Sequence, residues 1–365
     1  MLQEEFSYWL ANIYNIGVKK IDLLLQVFGS AEEIYRADKG LLEKFKEDYG
    51  SELRMSDADV IAILGSRDSE KIHQNYDKLG KSGINFVSKE EEHYPNRLRN
   101  IYGAPYALYV KGSLPNEEKK VLAVVGAREC TQYGKEMAKY LAGSVAMEGI
   151  AIVSGLARGI DSYAHEGALL SGGITYGILG SGIDICYPRE NINLYMEMQK
   201  EGGIISEYAP GVQPIAGNFP VRNRIISGLC DGILVIEAKE KSGSLITVDM
   251  GLEQGKDIYA LPGRATDRLS GGCNNLIKMG AKLVTSPKDI LEDFLPNYEQ
   301  ALKDTNNNLL QQDSKIVYAS LSLEPKHVET IAEITNLPMD LLMEQLLLLE
   351  LGGLVRQTMK NYYAL

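Results

Sequence analysis

The residues of this chain best suited to chemistry are cations and hydroxyls set among glycine turns. The densest cluster is Ser154-Gly-Leu-Ala-Arg-Gly-Ile-Asp161. Gly155 and Gly159 would let backbone amides face an anion, backed by the positive end of a following helix. Arg158 offers a bidentate phosphate contact and Asp161 a helix cap. A tight turn with a solvated arginine accounts for the same letters. The cluster is neither the Walker sequence nor GxGxxG, which counts against an NTPase or a nicotinamide enzyme. A second cluster is Asn218-Phe-Pro-Val-Arg-Asn-Arg-Ile-Ile-Ser-Gly228. Arg222 and Arg224 would neutralise phosphates, Asn223 would hydrogen-bond a base or sugar, and Phe219 would stack on a base. An arginine-capped helix with Phe219 in the core is the plainer alternative. A third run places Lys241, Ser242, Gly243, Ser244 and Thr247 between a strand and a helix, and Val125-Gly-Ala-Arg128 follows the first strand of the glycine-rich region. Gly180-Ser-Gly182 is a weaker candidate that a plain turn explains. Four cationic glycine loops at successive strand ends suit an extended ligand with several phosphates better than a single mononucleotide.

Signals for bond-making chemistry are thin. His73, His93, His165 and His327 are scattered, with no HExxH or paired metal spacing, and there is no GxSxG elbow. His165, one helical turn after Asp161, reads as a packed or capped surface residue. Glu207 and Glu237 lie near strand ends but nothing in the sequence fixes a metal geometry. Cys130, Cys186, Cys230 and Cys273 are far apart and read as reduced and buried. No metal and no cofactor is expected.

The elements that must position these residues follow from the distribution of glycine and apolar runs. Of 36 glycines, 25 fall within 121–290. There, strands are expected at Val121–Val125, Ala151–Val153, Thr175–Leu179, Gly203–Ser206, Gly232–Glu237, Asp257–Ala260 and Lys282–Val284, with helices at Lys135–Met147 and Asp161–Leu170. Alternating strands and helices imply a doubly wound parallel sheet, whose ligands sit outside the carboxyl ends of the strands. The first ~70 residues show helical spacing (Phe6–Tyr14, Lys19–Phe28 and Ala31–Tyr35, with Ser30 as an N-cap). Ile13 to Ile21 resembles a helix-hairpin-helix turn, or a mere packing unit. Between 84 and 120, short strand-like pieces with Pro95, Pro105 and Pro115 read as a connecting segment. Residues 297–314, polar and Asn/Gln-rich, read as a linker. Helical stretches at Lys315–Leu321, Lys326–Thr335 and Met339–Leu351, then Gly352-Gly353 and a terminal ribbon, have the order of a winged helix. Its third helix carries Asp340, Glu344 and Glu350, with Gln345 the only candidate base reader, so duplex reading is not expected there. Net charge is −11, with 5 basic and 11 acidic residues after position 290. That argues against a polycation coating duplex DNA but leaves room for a local basic groove. No apolar run reaches the length of a membrane span. The N-terminus lacks a secretory signal, so the cytoplasm is the expected compartment.

SGLARGID, NFPVRNRIISGL, KSGSLITVDMGLEQGKDIYALPG and GAKLV, in that order after VVGAREC, resemble the DNA-processing protein A (DprA/Smf) family over nearly the whole chain. The resemblance implies three domains joined by one linker. These are an N-terminal all-α helix-hairpin-helix or SAM-like domain (1–83), an extended Rossmann-like α/β core with a doubly wound, mostly parallel sheet (84–296), the linker (297–314), and a winged-helix domain (315–365). It implies a cytoplasmic, non-enzymatic homodimer that binds single-stranded DNA, protects incoming strands and loads RecA in natural transformation. Carried over by motif, the strand pocket would involve Arg128, Ser154, Gly155, Arg158, Phe219, Asn223, Lys241 and Gly243. Gly159, Arg222, Arg224 and Ser244 join them from the cluster analysis. The alternative is a nucleotide-hydrolysing enzyme of a related Rossmann-like fold. The run from Lys241 to Asp249, however, lacks the paired glycines and the Glu of such an enzyme's loop.

Overall fold

A computed structural model describes residues 1–296, 312–322, 324–351 and 355–364. They form two compact units, Met1–Leu291 and Glu292–Leu365.

The first unit opens with helices α1 (Gln3–Ala11), α2 (Val18–Phe28), α3 (Ala31–Arg36), α4 (Lys39–Leu53), α5 (Asp57–Gly65) and α6 (Ser69–Lys81). Their starts are set by local side chains: Ser30 accepts the amide of Glu33, Asp38 that of Leu41, and Asp68 that of Lys71. Phe6, Trp9 and Ile34 pack into a core continuous with Phe86, Tyr109, Tyr195 and Ile204 of the segment that follows. The helices therefore bury their apolar face partly against the sheet.

Next come β1 (Asn85–Ser88), α7 (Asn96–Arg99), β2 (Ala107–Gly112), β3 (Val121–Val125), α8 (Gln132–Met147), β4 (Ala151–Ser154) and α9 (Ile160–Leu170). They are followed by β5 (Thr175–Leu179), α10 (Ile192–Met198), β6 (Gly202–Ser206), α11 (Asn218–Leu229), β7 (Gly232–Val235), α12 (Gly243–Glu253), β8 (Asp257–Ala260), α13 (Gly271–Lys278), β9 (Lys282–Leu283) and α14 (Lys288–Phe294). The nine strands form one sheet in the order β1-β2-β6-β5-β4-β3-β7-β8-β9. From β6 to β9 the pairing is parallel, and β3, β4, β5 and β7 are buried along their whole length, as strands covered by helices on both faces must be. The connecting segment expected at 84–120 is in fact part of the sheet. β1 and β2 add two antiparallel edge strands through the β2–β6 pairing. Pro95, Pro105 and Pro115 fall between or beyond those strands, where a missing N–H costs no ladder bond. Strand β3 pairs with both β4 and β7. The chain winds outward from β3 in one direction and, from β7, in the other, so a crevice opens beyond the carboxyl ends of these two strands.

In the second unit, α15 (Gln312–Ser320), β10 (Lys326–His327), α16 (Val328–Thr335), α17 (Met339–Leu351), β11 (Arg356–Met359) and β12 (Tyr362–Ala364) enclose a core of Val317, Ile331, Leu342, Leu346, Leu349 and Tyr363. Three helices and a three-stranded antiparallel sheet, β10-β12-β11, make a winged helix. The helix expected from Lys326 begins only at Val328, because Lys326 and His327 pair with β12. Gln345 is not a base reader: it is buried and accepts a hydrogen bond from Ser314. Most of the linker expected at 297–314 and the Gly352-Gly353 turn lie outside the described residues; Gln312, Asp313 and Ser314 open α15.

Candidate nucleic-acid interface

The crevice at the carboxyl ends of β3 and β7 is a cleft of about 700 Å³. Three segments wall it: the loop after β3 with Arg128, the first turns of α11 with Phe219 and Asn223, and the loop from β7 into α12 with Lys239 and Lys241. The guanidinium of Arg128 lies over the Phe219 ring, 5.6 Å from its centroid. The half-exposed ring of Tyr187 lies 5.6 Å from Phe219 at 38°. Phe219 can lie this close to the sheet because Gly180 has no side chain; a Cβ there would come within 2.9 Å of the ring. Across the cleft, the Ser242 side chain accepts the amide of Ser244 and caps α12, and Gly243 has open space around it. Arg128, Lys239 and Lys241 have no carboxylate partner among the described residues, so their charge is open to a ligand. Cations over aromatic faces in a concave site give a surface for phosphates and stacked bases.

The structure thus gathers Arg128, Phe219, Asn223, Lys241, Gly243 and Ser244 around one cleft, with Arg222 at its floor. The remaining expected residues do other work. Ser154 is buried, and its hydroxyl donates to Val124 O. The loop after β4 is no open anion cradle, because the Asp161 carboxylate already accepts the amides of Gly155 (3.1 Å) and Ala157 (3.4 Å). Asp161 therefore secures the preceding loop instead of capping the helix. Gly155 makes room for Arg222, whose guanidinium would lie within 2.5 Å of a Cβ at that position. Arg222 is 3% exposed and donates to the carbonyls of Gly155 and Ile178, tying two strand ends together. Burial pushes its pKa down to about 10, which leaves it charged at neutral pH. Gly159, at φ +77°, lies against the Ala127 carbonyl and packs the β3 and β4 loops together. Arg158 is exposed outside the cleft and forms a two-pronged pair with Glu190 (2.8 and 3.0 Å). Arg224 faces away from this cleft. It is buried, paired with Glu207, and donates to Gly103 O. Arg224, expected to neutralise phosphates, is instead taken up by Glu207 and backbone carbonyls, whereas Arg222 gives Nη1 to two carbonyls and leaves its buried Nε without a hydrogen-bond partner among the described residues at the cleft floor.

Other candidates resolve similarly. Glu207 holds Arg224, and Glu237 accepts the amide and hydroxyl of Thr131 at the start of α8. Among the described residues no group of three metal-ligating side chains comes together. His165 is not a surface residue. It is wholly buried against Thr175 (2.7 Å), and burial together with the Arg222 charge lowers its pKa to about 3, so it stays neutral. Tyr187 belongs to the cleft although no motif marks it, and Lys239 joins it from within the cationic run Glu237 to Thr247. An aromatic residue directly before Pro188, a few positions beyond the end of β5, was the available signal for Tyr187.

The family profile described as DNA recombination-mediator protein A matches residues 85–295, and the one described as DprA winged helix domain matches residues 302–358. DNA processing protein DprA of Streptococcus pneumoniae is 39% identical over 280 residues, 72% of this chain and 97% of that protein. Protein Smf of Escherichia coli is 37% identical over 295 residues, 79% of each. Of solved structures, DprA from Streptococcus pneumoniae superposes with a TM-score of 0.59 at 38% identity, covering 68% of this chain and 90% of that one. DNA processing protein A from Helicobacter pylori, described for its single-stranded DNA binding mode, superposes with a TM-score of 0.53 at 29% identity, covering 59% of this chain and 96% of that one. With a doubly wound core, a winged helix and these matches in the same chain, the protein belongs to the DprA/Smf family of DNA-processing proteins.

Proposed function

We propose that this protein binds single-stranded DNA in the cleft beyond β3 and β7. The observation that carries the reading is the convergence of three cations free of carboxylates among the described residues, Arg128, Lys239 and Lys241, on the Phe219–Tyr187 pair at the switch point of the sheet. The cations take phosphates and the rings take bases, a combination that holds a strand with little regard to sequence. The hydrolase alternative is opposed by the run from Lys241 to Asp249, which lacks the paired glycines and the Glu of such an enzyme's loop. By analogy with the family, we infer that the protein acts in the cytoplasm as a homodimer, without bond-breaking chemistry. In that role it would shelter incoming strands and hand them to RecA. We further propose that 1–83, 84–296 and 315–365 serve as separate functional parts joined by 297–314.

The test is a gel-shift titration of single- and double-stranded oligonucleotides over a salt series. Single strands should bind more tightly than duplex. Arg128→Ala and Lys241→Ala should each weaken binding for all sequences and lower the salt slope by about 0.7 for every phosphate no longer neutralised. Unchanged slopes in both variants would exclude the cleft as the strand site.

A further inference from the structure

A second cleft of about 890 Å³ adjoins the first within the same unit. The two share walls. Along α12, Ser244 and Thr247 face the first cleft, while Met250 and Gln254, further along the same stretch of chain, line the second. Along α11, Asn223 faces one and Val221 the other. At about 1.5 Å per residue, Ser244 and Gln254 are about 15 Å apart, a distance that a few nucleotides span.

The far wall of the second cleft is made by the start of α2 and by the loop that carries Tyr102. Tyr102 is 79% exposed, and Lys19 Nζ lies 5.2 Å from its ring centroid. Other cations of the wall are spoken for: Lys20 by Asp59, Arg97 by Asp231, and Arg224 by Glu207. Lys19 and Lys256 have no carboxylate partner among the described residues; Lys256 Nζ makes one long bond to Gly228 O (3.5 Å), and Glu253 lies on the same lining. In a chain of net charge −11, two adjoining clefts with such lysines and open aromatic faces form a localised exception. Apolar side chains of Val18, Ile101, Val221 and Met250 floor the cleft beside these groups, as base faces require.

We propose that the second cleft is a further single-stranded DNA subsite, reached by the strand as it leaves the first cleft along α12. A base stacks on Tyr102 in the place Lys19 now occupies, and Lys19 and Lys256 take neighbouring phosphates. This subsite rests on the reading of the first cleft as a strand site.

The test uses the full chain and two labelled thymidine oligonucleotides, one of roughly five nucleotides and one of roughly sixteen. The parent should bind the longer strand more tightly. Tyr102→Ala and Lys19→Glu should each weaken the longer strand about fivefold or more and leave the shorter one unchanged, with unaltered melting temperatures. A strand carrying 5-iodouracil should crosslink to Tyr102 on irradiation only when it is long. If both variants match the parent at both lengths and Tyr102 is not crosslinked, the subsite is overturned while the first cleft stands. If the parent binds neither strand, the reading of the first cleft fails and the subsite fails with it. Variants that lose affinity for duplex alone would also overturn the subsite.

Discussion

Arg128, Arg222 and Arg224 carry the same guanidinium, yet only Arg128 is placed to meet a ligand. Arg222 gives Nη1 to two carbonyls and Arg224 donates to Glu207 and Gly103 O, so both side chains brace the walls of the site. Arg224→Ala should therefore act on stability. Leaving Glu207 partly buried without its partner should cost about 3–5 kcal/mol in urea unfolding, while the salt slope of strand binding stays at the parent value. A changed slope with unchanged unfolding would return Arg224 to the interface. His165 gives a pH-dependent counterpart. In the unfolded chain it takes up a proton near its ordinary pKa of 6.5, whereas in the fold it stays neutral down to about 3. The unfolded state thus binds more protons below pH 6.5, and folding stability falls as pH drops from 6.5 toward 3. The slope contributed is up to about 1.4 kcal/mol per pH unit. Urea unfolding of His165→Gln should lack that part of the decline from neutral to mildly acidic pH; an identical pH profile would show that another group drives it.

At the scale of elements, the cleft depends on how closely two loops approach. The β3 loop bearing Arg128 leans on the β4 loop at Gly159, with Ile160 N donating to Ala127 O. A Cβ at residue 159 would come within 2.3 Å of that carbonyl oxygen, in a left-handed conformation. Gly159→Ala should thus destabilise the fold by at least about 1–3 kcal/mol and also weaken strand binding, because Arg128 loses its support. Destabilisation with full affinity would show that the loops act independently. The edge of the sheet is governed by distance along the chain in the same way. Ile84–Val87 and Tyr106–Val110 have strand character, but the antiparallel place of the second beside β6, and of the first beyond it, depends on a partner about a hundred residues later.

For the molecule as a whole, charge is divided between the units. The segment after position 290 holds more than twice as many acidic as basic residues, and its winged helix buries Gln345, the sole amide or cationic side chain its third helix could offer to a groove. Removing residues 297–365 should leave single-strand affinity within about twofold of the full chain at moderate salt. The reduced net negative charge should, if anything, speed association at low ionic strength. A collapse of binding in that truncation, with the remaining unit still folded by circular dichroism, would assign strand contact to the second unit.

The class of architecture and the kind of ligand to expect are legible in the amino-acid order. Periodicity, glycine density and the order of the clusters predict a doubly wound sheet followed by a winged helix, and the cationic turns predict a polyanion. These features are local: a strand end, a turn and a following helix are encoded within a short stretch of consecutive residues. Which cations remain available depends on the folded chain. Burial and pairing depend on groups distant in the chain, such as Gly155 beneath Arg222 and Glu207 beside Arg224. Tyr187 meets Phe219, and Tyr102 meets Lys19, for the same reason: a long-range approach set by packing has no spacing from which to be read.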